Sequence, residues 1–184
     1  MQPLKGRDGG AGARVGMFTV LAHMLAAVAL VLLWCIHFCG GLALLSHDNK
    51  QPIFNAHPIL MLLGLIVATA KAILCYRSLP WVTPQLVSRD ARKKAHLALH
   101  VVGLALGGLG IYAVFKFPVE ADIPNLYSLH SWIGITTISL YALHWLTAFF
   151  TFFFPGATAA TRRSAVPWHA LLGLLVFALA VGNA

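Results

Sequence analysis

Five long apolar stretches divide this 184-residue sequence and constrain its fold more than any other feature. They cover approximately residues 17–38, 57–79, 96–115, 130–154 and 168–184, and none contains aspartate or glutamate. A helix of roughly 20 apolar residues crosses the hydrocarbon core of a bilayer, which is about 30 Å thick. Backbone polar groups in lipid must be paired within their own segment, and no stretch shows the alternation of a barrel strand. The sequence therefore predicts an all-α integral membrane protein.

The composition favours one membrane domain preceded by a short polar head. Hydrophobic residues make up 59% of the chain and charged residues only 10%, unlike the balance of a soluble domain. The first stretch is too long, and too poor in small-residue cleavage sites, for a removable signal peptide. Residues 1–16 are rich in glycine and basic residues. This predicts a disordered cytosolic head, followed by a transmembrane domain over residues 17–184.

Lysine and arginine residues predict the orientation of these helices. Three lie in the head, five around the connection between the second and third stretches, and two between the fourth and fifth. The other two connections hold only Lys50 and Lys116. Basic residues favour the cytosolic side of a membrane, so we expect a cytosolic N-terminus. The net charge of +8 then follows from topology, and no nucleic-acid partner is expected.

Four of the nine histidines stand at the beginning of successive apolar stretches. His57 and His130 begin stretches that enter from the outer side, whereas His96 and His169 begin stretches that enter from the cytosol. Ionisable residues at membrane depth are costly and are candidates for function. Because consecutive helices are antiparallel, the sequence predicts one histidine pair at an outer level and a second pair at an inner level.

Two facing imidazoles at one depth fit the two axial positions of haem iron. Helix bundles hold such cofactors in their interiors, so we expect a four-helix haem-binding bundle from the second to fifth helices, with the first helix beside it. Zinc would need about four ligands at each site, but the stretches that hold these histidines contain no carboxylate and a single cysteine. The residues therefore favour two haems, with axial pairs His57/His130 and His96/His169.

The remaining histidines offer alternatives for these sites. His100 lies one turn after His96 and could compete with it as a ligand. His144 lies 14 residues after His130, which would allow one helix to bind two stacked haems. The third stretch has no second histidine at a matching spacing, so we do not adopt this pairing. Structural roles suffice for the others, which are His23, His37 and His47.

Small residues in these stretches are interpreted as packing residues. The third stretch contains Gly103, Gly107 and Gly110, a spacing that predicts close contact with a neighbouring helix. The three cysteines form neither a CxxC motif nor a disulfide framework. They are assigned to the apolar interior.

Several short motifs resemble those of one known family. They are "FNAHP" and "CYRS" at the two ends of the second stretch, "SLHSWIG" in the fourth and "PWHALLG" in the fifth. From about residue 17 to its last residue, the chain resembles the cytochrome b561 family, in particular its plant ascorbate-dependent members. The resemblance implies a membrane oxidoreductase with two haem b groups and the four axial histidines named above. Members have six helices, and we expect the sixth to be absent from this chain.

The resemblance also implies a reaction and a cytosolic binding surface. Cytosolic ascorbate would donate electrons, and monodehydroascorbate or a ferric chelate would accept them on the opposite side. In the family, basic residues hold ascorbate and the haem propionates on the cytosolic side. Charge-assisted hydrogen bonds suit both anions, although the same charges could merely set the topology. The corresponding residues here are Arg77, Arg89, Lys93 and Arg162.

On the outer side, the resemblance assigns one segment to the haem and two aromatic residues to the electron acceptor. The acceptor residues are Phe117 and Tyr127, and the segment that lines the haem consists of Asn125, Leu126, Tyr127 and Ser128. Two positions depart from the family. Pro118 stands where some relatives have a histidine, which bears on the outer acceptor, and Lys71 stands where relatives can have an acidic residue.

Three other functions share some of these features. A quinol-linked di-haem subunit would use the same ligands, a proton or metal transporter could use the histidines without haem, and a structural partner would need neither. The resemblance favours the ascorbate-dependent ferrireductase or monodehydroascorbate reductase. It further implies a homodimer and a vacuolar or other endomembrane rather than the plasma membrane.

Overall fold

The computed structural model describes residues 8–46, 48–82, 88–121 and 124–184. All regular structure in these ranges is helical and forms five rods, numbered here α1 to α5. α1 runs over Asp8–Leu33 and continues as a π-helical segment over Trp34–Phe38. α2 joins Gln51–Met61, a π-helical segment over Leu62–Ala68, and Thr69–Val82. The remaining rods are α3 (Arg89–Ala121), α4 (Leu129–Phe152) and α5 (Ala159–Gly182).

Each rod contains a segment long and apolar enough to cross a membrane. The five candidate spans are Val15–Phe38, Gln51–Tyr76, Arg89–Val119, Leu129–Phe152 and Ala159–Gly182. Large apolar side chains remain exposed along them, among them Leu25, Leu143 and Leu174, as expected where lipid is the solvent. The predicted all-α, multi-pass membrane fold is confirmed.

Most helices begin earlier than the apolar stretches that predicted them. Hydroxyl groups cap three of the helix starts: Ser88 Oγ accepts from Ala91 N at 3.1 Å, Ser128 Oγ from Ser131 N at 3.2 Å, and Thr158 Oγ1 from Thr161 N at 3.2 Å. Such caps pair backbone N–H groups with side-chain oxygens and need no apolar residues. α3 and α5 therefore begin in the polar sequence that precedes the third and fifth apolar stretches.

The head also differs from expectation where the structure describes it. α1 begins at Asp8, so residues 8–16 are helical, whereas the sequence predicted disorder up to residue 16. An apolar stretch marks only the part of a helix that can lie in lipid, and this helix begins before that stretch. Residues 1–7 lie outside the described part, and the domain boundary at residue 17 stays a prediction.

α2 and α3 approach each other so closely that their backbones are in contact. A Cβ atom on Gly64 would lie 2.9 Å from the carbonyl oxygen of Gly103 and 3.1 Å from the backbone nitrogen of Gly107. A Cβ on Gly110 would lie 2.8 Å from Sδ of Met61. The predicted packing role of the α3 glycines is confirmed. Gly64 lies in the π-helical segment of α2, a kind of local distortion often found near functional sites.

A buried asparagine fixes the connection between α1 and α2. Asn55 is only 3% exposed, and its Nδ2 donates to the carbonyl oxygens of Cys39 and Gly41, both at 2.8 Å. Its Oδ1 accepts from Nε2 of Gln51 at 3.0 Å. The connection is thereby held against the N-terminal end of α2, two residues before His57.

Candidate functional site

The outer pair of histidines faces across the bundle between α2 and α4. The ring centroids of His57 and His130 lie 6.2 Å apart, with ring planes at 82°. Nδ1 of His57 donates to the carbonyl oxygen of Gly110 at 2.9 Å. A neutral imidazole that donates from Nδ1 keeps its lone pair on Nε2, and such a hydrogen bond orients a metal ligand.

A cavity of about 420 Å³ surrounds this outer pair. Its volume falls within the range of about 300–1,000 Å³ typical of small-molecule and cofactor pockets. Apolar residues supply most of the lining, and both histidines border it. All five outer residues assigned by resemblance also border it: Phe117, Asn125, Leu126, Tyr127 and Ser128. The tertiary structure therefore brings the predicted outer residues together.

Two of these residues have distinctive positions at the cavity. Leu126 has a φ of 54°, a left-handed conformation that is uncommon for a residue with a side chain. The side chain of Tyr127 is 76% exposed, although it borders the cavity. It therefore lies where the cavity meets its surroundings.

The inner pair repeats this geometry between α3 and α5. The ring centroids of His96 and His169 lie 6.1 Å apart, with ring planes at 70°. Nδ1 of His96 donates to the carbonyl oxygen of Ala72 at 2.8 Å, which again leaves Nε2 as the lone-pair nitrogen. Each level of the bundle thus has one histidine oriented by a carbonyl of a neighbouring helix.

The separation of the rings in both pairs is close to that of two imidazoles bound to one metal ion. With metal–nitrogen bonds of about 2.0–2.1 Å and about 1.2 Å from nitrogen to ring centroid, two imidazoles on opposite sides of one metal ion would place their centroids about 6.4–6.6 Å apart. The observed separations are 6.2 and 6.1 Å. In the described ranges, no group of three or more histidine, cysteine or acidic residues could hold a bare metal ion. Each pair would supply two nitrogen ligands to a metal ion, the number that haem iron takes from a protein with two axial histidines.

The inner level contains two more imidazoles than a single axial pair requires. The His100 ring lies edge-on to His96, with centroids 4.5 Å apart. The His144 ring stacks on His169, with centroids 4.7 Å apart and planes at 13°. His100 was expected to compete with His96 as a ligand, and the His130/His144 pairing was not adopted. The stacking of His144 on His169 could not be predicted, because a residue count gives the level of a side chain and not its direction.

A hydrogen-bonded chain crosses the bundle beside the inner pair. Nδ1 of His100 lies 2.7 Å from the hydroxyl of Tyr141, and that hydroxyl lies 2.9 Å from Oγ1 of Thr69. Tyr141 and Thr69 are 6% and 3% exposed. The bond to Tyr141 engages Nδ1 of His100 in the same way that the Ala72 carbonyl engages Nδ1 of His96, so it does not distinguish the two as ligands. The His96 ring is the one that faces His169, with centroids 6.1 Å apart. Neither Tyr141 nor Thr69 was predicted from the sequence to belong to the site.

The predicted basic residues are only partly brought together. Nζ of Lys93 lies 5.2 Å from the centre of the Phe153 ring. Nη1 of Arg162 lies near Gly156, where an added Cβ would be 3.6 Å away. Both cations therefore approach the same connection between α4 and α5. The Arg89 side chain is exposed, and the Arg77 side chain lies outside the described part of the structure.

One basic residue of the inner site was counted in the sequence analysis only towards the topology. Nε of Arg92 is buried and has no hydrogen-bond partner within the described ranges. A buried, unpartnered guanidinium nitrogen is costly unless an acceptor reaches it. Arg92 precedes His96 by four residues, which places both on one face of α3. A carboxylate on a cofactor bound by His96 would be a suitable acceptor, and this spacing was the signal available in the sequence.

Comparison with known proteins assigns the chain to a family. Residues 56–184 match the family model described as eukaryotic cytochrome b561. The chain is 49% identical over 177 residues to "Probable ascorbate-specific transmembrane electron transporter 2" of Oryza sativa subsp. japonica, covering 95% of this chain and 72% of the relative. It is 51% identical over 168 residues to "Transmembrane ascorbate ferrireductase 1" of Arabidopsis thaliana, covering 90% of this chain and 67% of the relative.

A more distant relative comes from an animal. The chain is 40% identical over 152 residues to a lysosomal membrane ascorbate-dependent ferrireductase of Bos taurus, covering 82% of this chain and 54% of the relative. The family model covers both histidine pairs and four of the five helices. With this match over more than half of its length, the chain belongs to the eukaryotic cytochrome b561 family.

Proposed function

We propose that this chain carries electrons across a membrane, taking them from cytosolic ascorbate and delivering them to monodehydroascorbate or a ferric chelate on the opposite side. The observation that carries the proposal is the pair of matched imidazole sites, with ring centroids 6.2 and 6.1 Å apart. The two sites occupy different levels of one helical bundle. The names of the rice and Arabidopsis relatives support the donor and the ferric acceptor.

We assign two haem b groups to these sites, with His57 and His130 as ligands at the outer site and His96 and His169 at the inner one. Haem iron supplies a one-electron couple when it is bound. The chain orients the ligands through the carbonyls of Gly110 and Ala72. It also lines the outer site mainly with apolar residues, and burial is one of the factors that set the reduction potential of a haem.

On the inner, cytosolic side, cations would bind and orient the electron donor. Ascorbate is a monoanion, and it releases one electron and one proton when it becomes the monodehydroascorbate radical. Lys93 and Arg162 approach the same α4–α5 connection, and the exposed Arg89 begins α3. Charge-assisted hydrogen bonds from such groups attract and position an anion. Arg77 is assigned to the inner haem by resemblance alone.

On the outer side, the electron would leave close to Tyr127 and Phe117. Tyr127 is 76% exposed and borders the outer cavity, so an acceptor can approach its ring from outside. Phe117 packs against Phe54, with ring centroids 5.2 Å apart. Pro118 replaces a histidine found in some relatives, so the acceptor meets no imidazole at this position.

The cellular setting completes the proposal. A cytosolic N-terminus, a homodimer and residence in the vacuolar or another endomembrane follow from the basic connections and the family resemblance. The proposed activity is that of an ascorbate-dependent oxidoreductase of the ferrireductase or monodehydroascorbate reductase type.

The test is a reduced-minus-oxidised absorbance spectrum of the purified full chain, before and after ascorbate is added. We expect two haems per chain, reduced by ascorbate. His57→Gln should remove the outer haem alone, and His96→Gln the inner haem alone. His23→Gln is the matched control, because its Nδ1 bonds within α1 to the carbonyl of Thr19.

Three results would contradict the proposal. The first is a colourless protein, which would favour a transporter that uses the histidines without haem. The second is reduction by quinols with indifference to ascorbate, which would favour a quinol-linked subunit. The third is retention of both haems in the His57 and His96 variants.

A further inference from the structure

The proposed function leaves two imidazoles of the inner level without a role, and one of them is His144 of α4. Its ring stacks almost parallel on that of His169, with centroids 4.7 Å apart and planes at 13°. Nε2 of His144 is buried and has no hydrogen-bond partner within the described residues. The imidazole also has a hydrogen bond with the backbone of His169, so this bond and the ring stack both tie His144 to the proposed ligand of α5.

His169 differs from the ligands of α2 and α3 in how its ring is oriented. His57 and His96 each donate from Nδ1 to a backbone carbonyl. Nδ1 of His169 is buried and has no hydrogen-bond partner in the described ranges. The groups that contact its ring faces and edges include His144, stacked at 13°, and Phe152, tilted at 60° with centroids 5.2 Å apart. Rotation of this ring is therefore restricted by aromatic contacts instead of a hydrogen bond.

A glycine on α5 leaves the space that the His144 ring occupies. A Cβ atom on Gly173 would lie 3.3 Å from Nε2 of His144, closer than ordinary van der Waals contact. Gly173 follows His169 by four residues, so both lie on the face of α5 that meets α4. α5 thus provides both the ring on which His144 stacks and the space next to it.

We propose that His144 is a positioning residue that fixes the ring plane of His169 by parallel stacking, in place of the backbone carbonyl that orients His57 and His96. This inference rests on the proposed ligand role of His169. Groups that orient a ligand commonly change metal affinity by about 10- to 100-fold when they are removed. In this chain an aromatic stack takes the place of that hydrogen bond.

The test compares His144→Phe with His144→Leu in the full chain loaded with haem. Phenylalanine keeps a flat ring for stacking, whereas leucine fills similar space without one. We expect His144→Leu to change the low-temperature electron paramagnetic resonance signal of the inner ferric haem, which reports the relative orientation of axial rings. It should also speed transfer of the inner haem to apomyoglobin by about tenfold, the lower end for lost orienting partners. His144→Phe should stay close to the parent in both measurements.

Further variants keep the proposal falsifiable if His144→Leu fails to fold. Gly173→Ala keeps the imidazole but pushes its ring, and it should alter the inner signal in the same direction. His23→Leu in α1 is the control for loss of a membrane histidine. The proposal is overturned by an unchanged inner signal in both His144→Leu and Gly173→Ala. Equal loss of both haems, or loss of bis-imidazole ligation in His144→Phe, would also overturn it.

A separate variant distinguishes this proposal from the ligand assignment on which it rests. His169→Gln should remove the inner haem and leave the outer one. If His169→Gln keeps the inner haem, the ligand assignment fails, whatever the His144 variants show. If it loses that haem while His144→Leu and Gly173→Ala match the parent, only the positioning role fails.

Discussion

The hydroxyl of Tyr141 lies 2.7 Å from Nδ1 of His100 and joins α4 to α3 in the interior of the bundle. The same hydroxyl reaches Oγ1 of Thr69 on α2 at 2.9 Å. A Cβ on Gly103 would lie 2.7 Å from it, so the glycine leaves room for this oxygen. Three helices therefore meet at one hydroxyl beside the inner histidine pair.

We expect Tyr141→Phe to destabilise the bundle without removing either proposed axial pair. The change leaves Nδ1 of His100 and Oγ1 of Thr69 without their shared partner. Hydrogen bonds between membrane helices average about 0.6 kcal/mol and reach about 1.7 kcal/mol, so two lost bonds should cost about 1–3 kcal/mol of unfolding free energy. Denaturation in a mixed-micelle titration measures this loss.

Tyr112→Phe is the control for this change, because Tyr112 is 50% exposed on α3 and its ring remains available to Lys116. Equal stability of the Tyr141 and Tyr112 variants would contradict an energetic role for the buried hydroxyl.

A second prediction concerns the close contact between α2 and α3. Gly64→Ala places a methyl group 2.8 Å from Cβ of Leu106 and 2.9 Å from the carbonyl oxygen of Gly103. A backbone oxygen cannot rotate away, so the helices must separate, and overpacking of this kind costs about 1–3 kcal/mol. We expect a lower thermal midpoint for haem-free and haem-loaded protein alike.

Gly108→Ala is the matched control, because an added Cβ at Gly108 meets no atom within 4 Å. Alanine is favoured over glycine in a helix by about 1 kcal/mol, so this variant should be as stable as the parent or more so. Similar destabilisation by both alanines would show that helix contact is not the cause.

The sequence was sufficient for the helix count and for the matched levels of the two facing histidine pairs. Hydropathy reports which residues lie in lipid, and a rise of about 1.5 Å per residue converts position into depth. His57 and His130 are therefore recognisable as one level from the sequence. Helix starts were placed too late because Ser88 and Thr158 cap helices in polar sequence, where hydropathy carries no signal.

The rotation of each helix about its own axis could not be predicted from the sequence in the same way. The direction of a side chain depends on every residue that precedes it in its helix, and the π-helical segment Leu62–Ala68 changes the rotation of α2. The stack of His144 on His169 and the unpartnered Nε of Arg92 both depend on rotation. Depth alone therefore predicted which histidines face each other but missed the groups around them.

A third prediction concerns the loop held by Asn55. Asn55→Ala removes two hydrogen bonds of 2.8 Å to the carbonyls of Cys39 and Gly41. Unpartnered buried groups cost about 1–3 kcal/mol each, so we expect a clear loss of stability together with weaker haem binding at the outer site, since His57 follows two residues later. Thermal unfolding and haem content measure the two effects.

Asn49→Ala is the control, because it tests whether the loss of another asparagine in this region has the same effect as Asn55→Ala. Oδ1 of Asn49 accepts one exposed hydrogen bond, from the backbone nitrogen of Gln51 at 3.0 Å. Its loss should have little effect on stability and none on outer-haem content. Equal outer-haem content in the two variants would argue against a specific role for the Asn55 hydrogen bonds at the outer site.

The last prediction concerns Arg92, whose buried Nε lacks a partner in the described part of the chain. If it supports the inner haem, Arg92→Leu removes a positive charge that favours the reduced iron, so the inner midpoint potential should fall. A unit charge at about 10 Å with an effective dielectric constant of about 20 contributes about 1.7 kcal/mol, or somewhat more than tenfold in the ferrous-to-ferric ratio. A potentiometric titration followed by absorbance measures the shift, and the outer potential should move less.

Two further variants separate the effect of the Arg92 charge from the effect of its geometry and position. Arg92→Lys keeps the charge but not the planar fork, so it should restore most of the potential. Lys94→Gln removes a cation from the same turn of α3, but Lys94 pairs with Asp90 at 2.7 Å and both side chains are 65% exposed, so water should screen its effect. Equal shifts for Arg92→Leu and Lys94→Gln would mean that the inner site responds only to net surface charge, and Arg92 would then have no specific role there.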